Sequence, residues 1–387
     1  MNASTNIFST TSDKLAFALQ IEEQQLVPFV LLNLAVGNPD LPPPAAALQA
    51  LAKSTTEPQA HQYTSNIGSN DWLKEALYWM RTYHGVDASA VNQLVPIQGA
   101  KAAIYLLSIL LLQPGDEVLV PNPGYPIYHQ IAQRIGAITK SYTVSPPYAE
   151  TLDLTEIKKL CSPATKAIWI NTLQMPTGRI IAPGIMKQLE HFCKSRNIWL
   201  LNDNPYAMLS KAPVPNLSHK SGEYERAISV ITLSKTFNIP GWRMAFILGT
   251  PDLIRQMQRY KNLLYSGHFA PLVKAVSACF TVPMSWINQQ KKEYEKRRLR
   301  TYHLLDALRC GYEENQQGMY VWAKLPVYCS DDQHFCKTLL HQTGIWTAPG
   351  SDFGSEGKGY MRVALTASTS QITEAINRVT NHFCHEH

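Results

Sequence analysis

Nowhere in these 387 residues do two cysteines form a Cys-x-x-Cys pair. The seven cysteines, at 161, 193, 279, 310, 329, 336 and 384, are odd in number and scattered. That excludes a dense disulfide framework and paired thiolate metal ligands, and reads as reduced thiols in a cytoplasmic protein. No metal site is expected, because the His385-Glu386-His387 group sits on a terminus that frays. Long apolar runs are missing too. The most lipid-like, residues 102–112, falls short of the ~20 residues that span a bilayer and reads as a buried helix. Residues 1–12 are polar and lack the basic-then-apolar order of a secretory signal. Charge is sparse, at 17% of residues with a net +6, and no arginine-rich arm argues for nucleic acid. There are no internal repeats and no low-complexity tracts. What remains is a soluble, enzyme-sized globular chain, 45% hydrophobic, with room for two domains and for a small anionic ligand.

What the chain does have is alternation. Residues 13–23 carry a loose helical period, residues 33–36 read as a short strand, and Pro42, Pro43 and Pro44 stiffen what looks like a linker. Seven short apolar runs follow, at 94–98, 117–121, 138–142, 166–171, 198–203, 229–233 and 244–248. Amphipathic stretches such as 72–83 and 185–194 lie between them. This predicts a mostly parallel sheet with helices on both faces, and a ligand beyond the carboxyl ends of its strands. Past Pro283 comes one long charged helix, 286–309, whose basic residues, Arg297 and Arg298 among them, read as a solvated face. Residues 319–324 and 360–365 look like strands of a smaller α+β domain, closed by a helix over 371–382. The expected fold class is therefore α/β. Residues 1–45 form the N-terminal segment of the small domain, 46–282 the large domain with its seven-stranded sheet, and 283–387 the C-terminal part of the small domain.

Chemistry concentrates at Thr232-Leu-Ser-Lys235 and Gly241-Trp-Arg243. Lys235 stands where an apolar strand ends, with a cation eight residues on. An amine so placed holds its proton less tightly than a free lysine, which favours the neutral form that makes a Schiff base. A loop lysine between two core strands would look the same in isolation.

This pattern resembles the Schiff-base signature of class I/II aminotransferases, the pyridoxal-phosphate enzymes of the aspartate-aminotransferase fold type. The resemblance implies that Lys235 holds the cofactor as an internal aldimine, with Thr232 and Arg243 beside its phosphate. Pyridoxal phosphate also asks for an anion site, a counter-ion for the ring nitrogen, a donor to the ring oxygen and a flat partner. Gly99, Ala100 and Lys101 match the phosphate cup at a helix start, although a plain strand-to-helix turn uses a glycine equally well. Asp203 matches the pyridinium partner and Tyr206 the donor, with Pro205 in place of a more usual alanine. Tyr125 matches the stacking ring. Arg362 matches the clamp on the substrate carboxylate and Gly37 a backbone contact to it. Tyr63 matches a tyrosine that reaches the neighbouring subunit's phosphate, which implies a homodimer with shared sites. The match spans residues 30 to 370.

One departure stands out. Relatives carry Asn-Pro-Thr-Gly where this chain reads Met175-Pro176-Thr177-Gly178. A thioether donates no hydrogen bond, so Tyr206 is left as the main donor to the ring oxygen unless Gln174 swings in. The resemblance implies transfer of an amino group from an amino acid to a 2-oxo acid such as 2-oxoglutarate, with no nucleic-acid or membrane partner. A lyase on the same scaffold, or a non-catalytic cofactor-binding sensor, are the alternatives. Asn38, Tyr128, Trp346 and the region near Tyr265 are candidates for the substrate pocket.

Overall fold

A seven-stranded, a four-stranded and a two-stranded sheet organise the described residues. The computed structural model describes residues 29–66, 68–144, 152–220 and 225–384. After a short β1 (Leu32–Asn33) come β2 (Leu94–Ile97), β3 (Glu117–Asn122), β4 (Ile138–Thr143), β5 (Thr165–Ile170), β6 (Trp199–Asp203), β7 (Ala227–Thr232) and β8 (Ala245–Leu248). The last seven form one sheet in the order β2-β8-β7-β6-β5-β3-β4. Only β8 runs antiparallel to its neighbours, because the turn through Gly241 returns the chain directly beside β7 instead of crossing over a helix. Each strand coincides with one of the apolar runs to within two residues. β5 to β8 are buried along almost their whole length, as strands covered on both faces must be.

Helix Ala100–Leu111 covers this sheet with Ala103, Ile104, Leu106 and Leu107 buried, while helix Pro183–Arg196 buries Met186, Leu189 and Cys193 in a separate cluster with β5 and β6 residues. No single helix among the described residues is long and apolar enough to cross a membrane.

The smaller sheet is antiparallel. It comprises β9 (Gly311–Tyr312), β10 (Tyr320–Lys324), β12 (Ala348–Pro349) and β13 (Tyr360–Ala364), ordered β12-β13-β10-β9. Between its members, β11 (Ile345–Trp346) pairs in parallel with β1. Helices Asp332–Thr343 and Thr369–His382 complete this unit. The Thr369–His382 helix starts on a capping box, in which Ser368 and Gln371 satisfy each other's backbone N–H groups.

Two expectations change. In helix Met284–Ala307 the basic run is not all solvated: Arg297 and Arg298 are buried. Arg297 grips Asp40 through both nitrogens of its fork, at 2.7 and 2.9 Å, and reaches the Leu365 carbonyl at 3.0 Å. Arg298 donates to the carbonyls of Gly318 and Tyr320, at 2.6 and 3.1 Å. A buried guanidinium is tolerable only with such partners, which lie far off in sequence. The proline-stiffened segment is likewise docked, not a free linker: Asn238 Nδ2 donates to the Pro42 carbonyl at 3.2 Å. The helix expected over 13–23 and the His385-Glu386-His387 group lie outside the described residues.

Candidate active site

The carboxyl ends of β2, β3, β5, β6 and β7 open on one cavity of about 560 Å³, closed on its far side by β10 and β13 of the smaller sheet and by the segment at Gly37. Of the residues picked out in the sequence, Gly37, Asn38, Ala100, Lys101, Tyr125, Tyr128, Met175, Asp203, Tyr206, Thr232, Lys235, Arg243 and Arg362 line it.

Lys235 follows β7 by a turn in which Thr232 Oγ1 donates to Ser234 Oγ at 3.0 Å and accepts the Ser234 amide at 3.3 Å. Its Nζ donates to the Gly37 carbonyl at 2.5 Å. Burial first, then the Arg362 and Arg243 charges, pull its pKa down from 10.5 to about 8. A lysine so treated is a proton acceptor near neutrality as well as a nucleophile.

Arg243 sits in the left-handed region (φ 54°) and its Nη1 donates to the Pro240 carbonyl at 2.7 Å. Its other terminal nitrogen lies against Gly99, where a Cβ would collide with Nη2, and Gly99 itself needs φ 87°. Cation and helix start thus face each other across a gap that only glycine leaves open, which suits a phosphate. Gly99→Ala is expected to weaken cofactor binding by about tenfold or more, from backbone strain and displacement of Arg243. Titrating cofactor into the apo-protein measures it; unchanged affinity would remove Gly99 from the site.

Asp203 ends β6, fully enclosed. Burial raises its carboxyl to a pKa of about 6, against the opposing pull of a 2.7 Å hydrogen bond from the Tyr128 hydroxyl to Oδ2. Oδ1 has no partner. An enclosed carboxylate oxygen without a donor is costly, and the N–H of a protonated pyridine ring is the donor it lacks. The residues present therefore fit pyridoxal phosphate: an orphan acceptor for the ring nitrogen, a glycine-lined cradle with a cation for the phosphate, and an amine between them. Tyr128 lines the cavity, as expected, and is also the support of Asp203, fixed by stacking on Trp169 at 4.9 Å between ring centroids. Nothing in its local sequence signalled that role.

Arg362, from β13, is buried, with Nη2 on the Ala35 carbonyl at 2.6 Å and Nη1 on the Met175 sulfur at 3.3 Å. Its Nε has no hydrogen-bond partner among the described residues, and the Tyr320 and Phe353 rings flank the guanidinium at 4.0 and 4.5 Å. The sulfur is a weak acceptor and leaves most of that arginine's capacity unspent. Gln174 does not swing in. Its amide is committed to the Pro123 carbonyl at 2.7 Å and to Thr177, whose hydroxyl and amide bond it at 2.6 and 3.1 Å. Tyr206 meets Tyr320 hydroxyl to hydroxyl at 3.2 Å, a contact the sequence did not reveal.

Three candidates lie elsewhere. Tyr63 is 94% exposed on the surface of the single chain. Trp346 is buried in β11 opposite Asn33 and does not line the cavity. Tyr265 stands beside the turn at Gly99, its hydroxyl accepting the Gln98 amide at 3.1 Å.

The family described as aminotransferase class I and II matches residues 30–379. The chain is 29% identical to LL-diaminopimelate aminotransferase of Aquifex aeolicus over 362 residues, 91% of each chain. It is 31% identical to LL-diaminopimelate aminotransferase 2 of Trichormus variabilis over 355 residues, 90% of each. Among solved structures, substrate-bound BacF of Bacillus subtilis superposes with a TM-score of 0.87 at 26% identity, over 98% of both chains.

Proposed function

We infer, from the premise that this chain belongs to the class I and II aminotransferase family, that Lys235 is the amine which anchors its pyridoxal phosphate and moves the proton. The observation that carries this is the meeting, in one cavity, of a lysine of lowered pKa, a carboxylate oxygen without a donor and a buried guanidinium. When bound, the cofactor supplies an aldehyde carbon that takes amines and a ring that draws electrons from the substrate's α-carbon. Asp203 Oδ1 would hold the ring nitrogen's proton, Tyr206 would donate to the ring oxygen, and Tyr125 would lie along the ring. Thr232, Arg243 and the turn Gly99, Ala100 and Lys101 would hold the phosphate.

Arg362 Nε, with the Gly37 backbone beside it, receives the substrate's α-carboxylate. Binding it displaces at most the weak contact to Met175 Sδ. With substrate seated, Lys235 Nζ would take the proton from the substrate's α-carbon and hold it as an ammonium. A pKa lowered by burial to about 8 brings this amine nearer its neutral, basic form than a free lysine. The amino group passes to a 2-oxo acid, for which we place 2-oxoglutarate first. The relatives' shared name makes a diaminopimelate-like amino acid the first donor to assay. The large unit, 46–282, carries the cofactor, and the unit of 1–45 and 283–387 carries the carboxylate clamp.

Reduction of the yellow protein with borohydride, followed by peptide mass mapping, tests the assignment. It predicts the label on Lys235, and a label elsewhere or none overturns it. A homodimer is part of the reading. Tyr63, Leu263, Leu264 and Phe269 are all exposed and apolar, and Thr64 Oγ1 donates to the His268 carbonyl, bringing the two segments together. Sedimentation at micromolar concentration is expected to give twice the 43.4 kDa chain mass; a monomer would refute the shared site. The seven unbridged cysteines accord with a cytoplasmic location, which fractionation of the source cell checks.

Met175 makes the site unusual. Met175→Asn gives the substrate carboxylate a neutral donor, and a hydrogen bond to a charged group contributes about 1.5–3 kcal/mol. The KM for the amino donor is expected to fall by about tenfold or more. An unchanged KM would mean that position 175 does not meet the carboxylate.

A further inference from the structure

Tyr320 belongs to β10, in the smaller sheet, yet its side chain reaches the cavity formed by the larger one. Its hydroxyl stands 3.2 Å from that of Tyr206, and the two rings meet edge to face at 5.6 Å. The Arg362 guanidinium covers its ring, 4.0 Å from the centroid. The same hydroxyl lies so close to Gly37 that a Cβ there would overlap it. Tyr320 is thereby wedged in a single position.

Each phenol owns one proton and can accept others. If Tyr206 spent its proton on Tyr320, none would face the cavity. If Tyr320 donates, the Tyr206 proton stays available. The cation on the Tyr320 ring polarises its O–H toward donation. Burial holds Tyr206 well above the ordinary phenol range, so it remains a neutral O–H.

We propose that Tyr320 is a positioning residue which donates to Tyr206 Oη, aims the Tyr206 proton at the cofactor's ring oxygen, and so makes up for the amide that Met175 does not supply. The inference rests on the reading of Tyr206 given above. It departs from a merely structural role in one respect: it makes the effect of position 320 depend on the residue at 175, through the Tyr206 hydroxyl that meets Tyr320.

The test uses the holoenzyme and a readout other than turnover, the pH midpoint of the bound cofactor's visible absorbance. A donor to the ring oxygen stabilises the deprotonated form and keeps that midpoint low. Tyr320→Phe removes one oxygen and keeps the ring beneath Arg362. The midpoint is expected to rise by roughly half to one pH unit, the span of one ordinary hydrogen bond. In a Met175→Asn background the same substitution is expected to shift it by less than half as much, because a second donor is then in place. No shift in the single variant, or equal shifts in the two backgrounds, overturns the proposal. Absence of any chromophore in the unaltered chain overturns instead the lysine assignment beneath it.

Discussion

Alanine at Lys235 is expected to lower kcat by about 10⁴-fold or more, the upper end of what a positioned acid–base group contributes, since the covalent anchor is lost with it. The same variant should bind cofactor without fixing it, so borohydride leaves no label on the chain. Lost fold and lost chemistry are separable here. An ammonium held in this cavity costs folding free energy, the reason its pKa falls to about 8. The cofactor-free Lys235→Ala protein is therefore expected to melt no lower than the parent, as a thermal scan of both would show. Residual activity within tenfold of the parent would assign the proton transfer to another group.

Asp203→Asn is expected to cost about 10²–10³ in kcat, the scale of removing one preorganised charge at a reacting centre. It also changes stability against pH in a direction that can be worked out. Without cofactor, the folded chain keeps the Asp203 proton up to about pH 6, while the unfolded chain loses it near 3.8. Between those values the folded state binds more protons, so the stability of the apo-protein falls as pH rises through the window, by about 3 kcal/mol in all. Asparagine removes that slope. If the ring nitrogen meets Oδ1, as proposed, the cofactor would relieve the same cost, and the stabilisation it gives should grow between pH 4 and 6 in the parent and stay flat in Asp203→Asn. Parallel apo and holo curves in the parent would mean that Asp203 does not meet the ring.

Much of this was legible beforehand, for a physical reason. Strands buried on both faces read as short apolar runs, and in such a sheet reactive groups follow the strand ends. Asp203 and Lys235 could therefore be located from their own neighbours in sequence. What was not legible depends on pairs far apart along the chain. Tyr128 meets Asp203 across 75 residues and Tyr320 meets Tyr206 across 114. A tyrosine carries no local mark of which carboxylate or phenol it will find. Arg297 misled for the opposite reason. A basic run on a helix looks solvated until the partner is known, and here Asp40 lies 257 positions away.

The pairing of β1 with β11, and the bond from Arg362 Nη2 to the Ala35 carbonyl 327 residues earlier, have a bearing on biosynthesis. The wall proposed to hold the substrate carboxylate is sewn from two segments 327 residues apart. While a ribosome is still making the chain, the sheet of β2 to β8 can already fold behind it, but the clamp has no second half until residue 362 has emerged. A chain that stops between β8 and β13 would keep Asp203 and Lys235 and lack Arg362, so it is expected to lose the amino-acid site before the cofactor site.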